Sequence, residues 1–220
     1  APVLSVRDLH FPALPPMTFD IRRGEIAFLR DENYNTGRRL HECFLGDRGW
    51  TSGFFRLNGR LYQPGDLGRV IGSEIGIQIE RPDRPGGVLF DNMTALDNLC
   101  TSLIPKAGQH IIRKKIVSSI LSEALRWFPK EMLLQPLSSW SYPERLRFSY
   151  YRWYLLNPRL LICFFPFAGQ ESTHHKMIID LLVLCAQRGM AVWIISSGID
   201  AICEKTDNEE FLRRLHYLNK

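Results

Sequence analysis

Three short, wholly apolar runs, each followed by a stretch with helical spacing, constrain this chain more than anything else in it. They are residues 26–29, 160–165 and 191–195. Runs this short, bounded by turn residues and lacking alternation, read as strands buried on both faces. Pro166 closes the second run, and Gly189 stops the helix ahead of the third. Helical spacing over residues 38–44, 143–155, 172–187 and 198–203 supplies the crossovers that parallel strands need, with Pro143 suited to a first helical turn. The expected fold class is α/β with a mainly parallel sheet.

Weaker signals surround that core. Residues 3–9 alternate apolar and polar, which predicts an edge strand, and residues 17–21 do the same before a turn at 22–25. Residues 53–61 predict a hairpin turning at Asn58-Gly59. A strand is expected over 70–79, and a Pro/Gly-rich loop over 81–87. Residues 93–104 and 111–128 carry helical spacing, so 111–137 reads as a helical insertion within a helical subdomain of about 93–155. No linker interrupts the chain, and residues 1–220 are expected to form one unit with two lobes, a piece of a longer protein.

Composition excludes several alternatives. Hydrophobic residues make up 45% and charged residues 23%, too apolar for disorder. No apolar, charge-free window reaches the ~20 residues of a membrane span. The net charge of +5 is interleaved with acidic residues and does not argue for nucleic acid. The five cysteines form no C-x-x-C pair, Cys163 and Cys185 sit in apolar runs and read as buried thiols, and a reducing cytosol fits best.

Several segments occur in one order. Val6-Arg7-Asp8-Leu9 precedes Phe19-Asp20-Ile21-Arg22-Arg23-Gly24-Glu25-Ile26, then Thr51-Ser52-Gly53 and Leu57-Asn58-Gly59-Arg60. Asn92-Met93-Thr94-Ala95-Leu96-Asp97-Asn98-Leu99, Leu156-Asn157-Pro158-Arg159-Leu160-Leu161-Ile162 and Ile194-Ile195-Ser196-Ser197 follow. Together they resemble the ATP-binding cassette (ABC) ATPase, the nucleotide-binding domain of ABC transporters. The segment from Glu80-Arg81-Pro82-Asp83-Arg84 to Leu89 is similar to a loop in the tandem ATPases of ribose- and galactoside-type sugar importers. The resemblance spans all but the C-terminal end. It implies a P-loop NTPase-type core with an antiparallel β lobe and a helical insertion. As partners it implies a second ABC ATPase domain and a membrane permease, at the cytoplasmic face of the membrane.

The chain departs from that family where the family does its chemistry. A phosphate-binding loop needs G-x-x-x-x-G-K-[ST], for backbone donors, a cation and a Mg²⁺-holding hydroxyl. Read without gaps, the loop falls on Asp31-Glu32-Asn33-Tyr34-Asn35-Thr36-Gly37-Arg38, with Gly37 at the Lys and Arg38 at the hydroxyl position. Shifted by one residue, Gly37, Arg38 and Arg39 take the GK[ST] end, again without a hydroxyl. Asp31 and Glu32 bring negative charge towards a triphosphate. Where the family has Asp-Glu-Pro, for Mg²⁺ and the attacking water, this chain has Phe164-Phe165-Pro166, and a phenyl ring serves neither purpose. Glu171 replaces the Asp that closes the next loop, and Ser197 stands at the family's switch position. The L-S-G-G-[EQ]-x-Q-[RK] signature falls on Trp140-Ser141-Tyr142-Pro143-Glu144-Arg145-Leu146-Arg147, and a start at Leu137 lacks the glycines too.

The resemblance leaves Phe11, Gly37, Arg38, Arg39, Glu80, Ser141 and Glu144 as candidate nucleotide contacts. Phe11 reads either as an adenine-stacking ring or as a core residue, and Glu80 either as a phosphate sensor or as a solvated acid. Phe164, Phe165, Glu171 and Ser197 occupy degenerate catalytic positions. No catalytic residue, metal or resident cofactor is expected, and ATP binding is expected to be weak, without Mg²⁺. The implied role is a catalytically degenerate importer ATPase domain. A pseudo-ATPase interaction module in signalling or transcription control is the alternative. An active hydrolase with relocated carboxylates would have to use Asp200, Glu171 or Glu204, none of which has a motif around it. Tyr150, Tyr151, Trp153 and Tyr154 read as packing residues rather than a nucleic-acid stack, and His174 and His175 as surface residues.

Overall fold

The structure, a computed structural model, describes residues 1–47, 49–80, 89–106 and 114–218. Strands β1 (Leu4–His10) and β2 (Met17–Ile21) lead into β3 (Ile26–Arg30) and helix α1 (Asn35–Leu45). β4 (Ser52–Leu57) and β5 (Arg60–Tyr62) follow, and they form an antiparallel sheet with β1 and β2 in the order β2-β1-β4-β5. Residues 3–9 were expected at an edge, yet β1 is flanked on both sides, by β2 and β4. Alternation reports one wet face, and an internal strand of a half-covered sheet has one too. Asn58 and Gly59 turn the β4–β5 hairpin with φ of 48° and 79°, the left-handed pair that a two-residue loop requires.

The second sheet is parallel. It joins β6 (Ile75–Ile79), β7 (Leu160–Phe164), β8 (Ala191–Ser196), β3 and the short β9 (Leu215–Tyr217) in the order β6-β7-β8-β3-β9. The three apolar runs are its centre. The strand expected over 70–79 is confined to β6, because Ser73, Glu74 and Ile75 all turn back to donate to the Val70 carbonyl. The loop read at 81–87 lies outside the described residues.

The helical lobe holds α2 (Ala95–Lys106), α3 (Lys114–Ala124) and α4 (Lys130–Leu133), and α5 (Tyr142–Leu156) returns the chain to β7. Helix α6 (Ser172–Gln187), which matches its expected bounds, then α7 (Ile199–Cys203) and α8 (Glu209–Arg214), complete the fold. Among the described residues no helix is long and apolar enough to cross a membrane.

Side-chain alternation along the central strands divides the core. Leu29, Ile162, Phe164, Trp193 and Ile195 pack towards α1 and the antiparallel sheet, where Phe19 meets the Trp193 indole edge-on at 5.1 Å. Phe28, Leu161, Cys163, Val192 and Ile194 pack against α5 and α6 instead. Each fully buried apolar side chain contributes roughly 1.5–3 kcal/mol. Helix α5 is buried almost all round. Tyr150 and Trp153 join the α6 side, and Phe148 and Tyr151 join a third core with Leu99, Phe128 and Trp140. The aromatic residues of that helix are therefore packing residues.

Candidate functional site

In a parallel α/β sheet, ligands bind beyond the carboxyl ends of the strands. Register sets those ends level here, since Arg30 pairs with Ser196, and Phe164 with both Ile195 and Ile79. The next residues on the four strands are Asp31, Ser197, Phe165 and Glu80. Asp31 is fixed by its N–H to the Ser196 carbonyl at 2.9 Å, and the chain turns so that the Tyr34 N–H approaches the Asp31 carbonyl at 3.5 Å. α1 begins immediately afterwards, earlier than the expected start at residue 38.

The first N–H groups of a helix have no partner inside it, and that end attracts negative charge. In this chain Asp31 supplies the charge. Its carboxylate accepts from the Thr36 N–H at 3.2 Å and the Gly37 N–H at 2.7 Å, and the residue is 5% exposed.

Phe165 covers the loop from the other side. A Cβ built on Gly37 would sit 2.5 Å from the Phe165 Cζ and 3.2 Å from the Asp31 Oδ2. Phe165 holds φ at 53° and Tyr34 at 58°, a left-handed region that costs a bulky residue about 1–2 kcal/mol. Their rings meet at 4.7 Å, a contact that offsets about 0.5–1.5 kcal/mol. Phe164 is fully buried and lies edge-on to His41 at 5.5 Å.

Most of the other candidates are scattered. Phe11 is 2% exposed and packs into the core, with its edge lining a shallow pocket beside Pro12, Arg39 and Gly49. Arg38 points to solvent, while Arg39 pairs with Glu42 at 3.3 Å. Glu80 is not a solvated acid: it is 5% exposed, and its Oε1 accepts from Gln78 Nε2 at 2.7 Å. Gln78 Nε2 also donates to Ser149 Oγ at 3.1 Å, and Gln78 Oε1 accepts from the Trp153 indole at 2.7 Å. This buried cluster ties β6 to α5. Burial, and then the Glu80 charge, push the Tyr150 phenol well above its ordinary range.

Ser141 and Glu144 are occupied with each other at the start of α5. Glu144 Oε2 accepts from the Ser141 N–H at 2.8 Å and from its hydroxyl at 2.6 Å, a capping arrangement. The Tyr142 hydroxyl accepts from Gln170 Nε2, which fastens the same helix end to the loop after β7. Glu171 caps α6 with its carbonyl, and Ser197 is half-buried beyond β8. The two histidines are not plain surface residues. His174 lies 5.6 Å from the Tyr142 ring and His175 5.5 Å from Phe167. Among the site residues, sequence reasoning missed Tyr34, Gln78 and Gln170. An apolar pattern carries no signal for any of them. It treated Asp31 as repulsive, although an Asp shortly before a helix is a recognised capping signal.

No family model matches the chain. It is 25% identical over 209 residues to a putative ribose/galactose/methyl galactoside import ATP-binding protein of Pseudomonas syringae pv. tomato, covering 93% of this chain and 39% of that protein. A protein of the same description in Pseudomonas fluorescens is 26% identical over 209 residues, with 93% and 40% covered. The fructose import ATP-binding protein FruK of Bifidobacterium longum is 25% identical over 227 residues, with 98% and 42% covered. The chain thus spans about two-fifths of the length of these relatives. Among solved structures it is similar to CbiO1 of Clostridium perfringens, part of an ABC transporter complex, with a TM-score of 0.74, 20% identity and 98% and 84% of the two chains covered. A dimeric bacterial ABC transporter cassette matches with a TM-score of 0.68, 16% identity and 97% and 93% covered. The chain therefore has the ABC ATPase cassette fold, and over nearly its whole length it resembles in sequence the ATP-binding proteins of simple-sugar importers.

Proposed function

We propose that this chain is a catalytically silent ABC ATP-binding domain. It serves as the structural or regulatory member beside a competent second cassette and a simple-sugar permease, at the cytoplasmic face of a membrane. One observation carries the reading: of two phenyl rings in a row, the one that ends β7 is sealed in the core and the one that follows it is laid over Gly37. In-line phosphoryl transfer needs positioned phosphates, a metal ion and an oriented water. At these positions the chain offers the metal no oxygen and the water no base. Two of the loop's backbone donors, the Thr36 and Gly37 N–H groups, are already bonded to Asp31. These residues do not fit a magnesium nucleotide.

Steady-state phosphate release by the purified chain at millimolar Mg-ATP tests this. Release at background is expected. Release at ~1 per second, at the low end of ordinary turnover, and lost on Arg38→Ala or Arg39→Ala, would sink the reading.

A second reading is favoured by the start of α5. Tyr142 is tied to Gln170 and Pro143 has no N–H, so this helix start has little to offer a partner's nucleotide. That suits an interaction module in signalling or transcription control. Co-purification with a second cassette and a permease supports transport, and co-purification with a sensor or DNA-binding protein supports regulation.

A further inference from the structure

We propose that Asp31 is a resident anion, whose carboxylate takes the α1 backbone donors that a phosphate would otherwise use and holds the loop closed with no nucleotide bound. The inference rests on the silent-cassette reading and explains how such a loop stays ordered.

A glycine-rich phosphate loop leaves its N–H groups for the ligand to satisfy. This chain has no glycine at residues 32–36, and it satisfies two of those donors internally, at Thr36 and Gly37. The two oxygens of one carboxylate take one N–H each, at 3.2 and 2.7 Å. Hydrogen bonds to an ionised acceptor are the stronger kind. An incoming phosphate could reach these donors only by expelling the carboxylate. That would strip a buried charge of its partners and set it beside a second anion.

Phe165 closes the same place from above. Its ring end lies where a side chain at residue 37 would begin, so glycine there is what lets the ring settle. Asp31 follows β3, Gly37 belongs to α1, and Phe165 follows β7. The closure is therefore made by the tertiary fold and not by the loop alone.

The test compares the whole chain with its D31N and D31A variants. Thermal unfolding is followed in sodium phosphate, pyrophosphate or formate, each against sodium chloride of equal ionic strength. Amide hydrogen exchange is read at Thr36 and Gly37. In D31N one carboxylate oxygen becomes an NH2 facing a donor. It should melt roughly 2–8 °C lower, by the usual cost of a lost cap in a chain of this size. Its Thr36 and Gly37 amides should exchange about tenfold faster. D31A leaves room for a small anion and should regain part of its loss in formate or phosphate. The unaltered chain should gain nothing from phosphate or pyrophosphate beyond chloride.

Unchanged melting and exchange in D31N would overturn the proposal, and so would stabilisation of the unaltered chain by pyrophosphate. A folded D31A indifferent to all three anions counts against it equally. If D31A does not fold, D31N decides alone. ATP turnover by the unaltered chain would sink the silent-cassette reading, whereas the melting and exchange results judge Asp31 separately.

Discussion

The Phe165 ring lies where a side chain on Gly37 would have to start, with Cζ 2.5 Å from an ideal Cβ position. Gly37 sits inside α1 with no left-handed φ, so helix propensity alone would favour alanine there by about 0.5–1 kcal/mol. The ring reverses that preference. Gly37→Ala should destabilise the chain by about 1 kcal/mol or more through overpacking. In a Phe165→Ala background most of that cost should disappear, leaving the helix-propensity gain of about 0.5–1 kcal/mol set against the remaining 3.2 Å approach to Asp31 Oδ2. Urea unfolding of the four chains in this double-mutant cycle gives the coupling, and equal effects in both backgrounds would refute the contact.

The two phenylalanines should respond differently. Phe164 is fully buried against His41, whereas Phe165 is partly exposed. Phe164→Asp places an unpaired carboxylate in the core and should cost roughly 3–5 kcal/mol or more. Phe165→Glu should cost less than half of that, because its new charge reaches water. The double variant should still release no phosphate, since Asp31 and Gly37 remain. Chemical denaturation with a phosphate-release assay on the same preparations checks both statements.

Gln78 holds three groups at once, Glu80, Ser149 and Trp153. Gln78→Leu should leave the buried indole N–H without its acceptor and cost about 1–3 kcal/mol. The tryptophan environment should change with it, so near-ultraviolet circular dichroism should shift in the folded state. An unaltered spectrum together with unaltered stability would mean the cluster does not join β6 to α5 in solution.

The buried thiols set an alkaline limit. Burial pushes Cys43 and Cys185 up to about 12 from an ordinary 9.0, and holds Cys163 well above its ordinary range. In the unfolded chain these thiols lose protons from about pH 9, while in the folded chain they keep them. The stability they contribute is whole below pH 9 and is lost as the pH climbs towards 12. Urea midpoints should therefore fall above pH 9, and a Cys43→Ala/Cys185→Ala chain should show a shallower fall. Cys203 is the partly exposed cysteine and should be the first to react with a thiol reagent.

Much of the parallel core was legible from residue patterns. The runs at 26–29, 160–165 and 191–195 are the adjacent strands β3, β7 and β8, and residues 172–187 are α6. Short apolar runs between turn signals are a strong statement, because the sheet faces they occupy must be covered. The Asn58-Gly59 turn was equally plain, since few residue pairs tolerate its backbone. β9 was not visible, as three half-buried residues carry no periodicity. The internal place of β1 was hidden too, because alternation tells which face is wet and not which strand lies alongside.

The loss of oxygen ligands at Phe164 and Phe165 is a property of the sequence, fixed by residue type whatever the fold does with the rings. What fills the space is a property of the tertiary structure. Sequence placed Asp31 near a phosphate as a repulsive charge. The fold turns the same carboxylate under α1, where backbone N–H groups meet it. Sequence left Phe11 open between a stacking ring and a core residue, and Glu80 between a phosphate sensor and a solvated acid, and the fold buries both. Residue identity decides which chemistry a side chain can do. Which partner it meets depends on strands and helices far apart in the chain converging at one end of a sheet, and local pattern carries no record of that convergence.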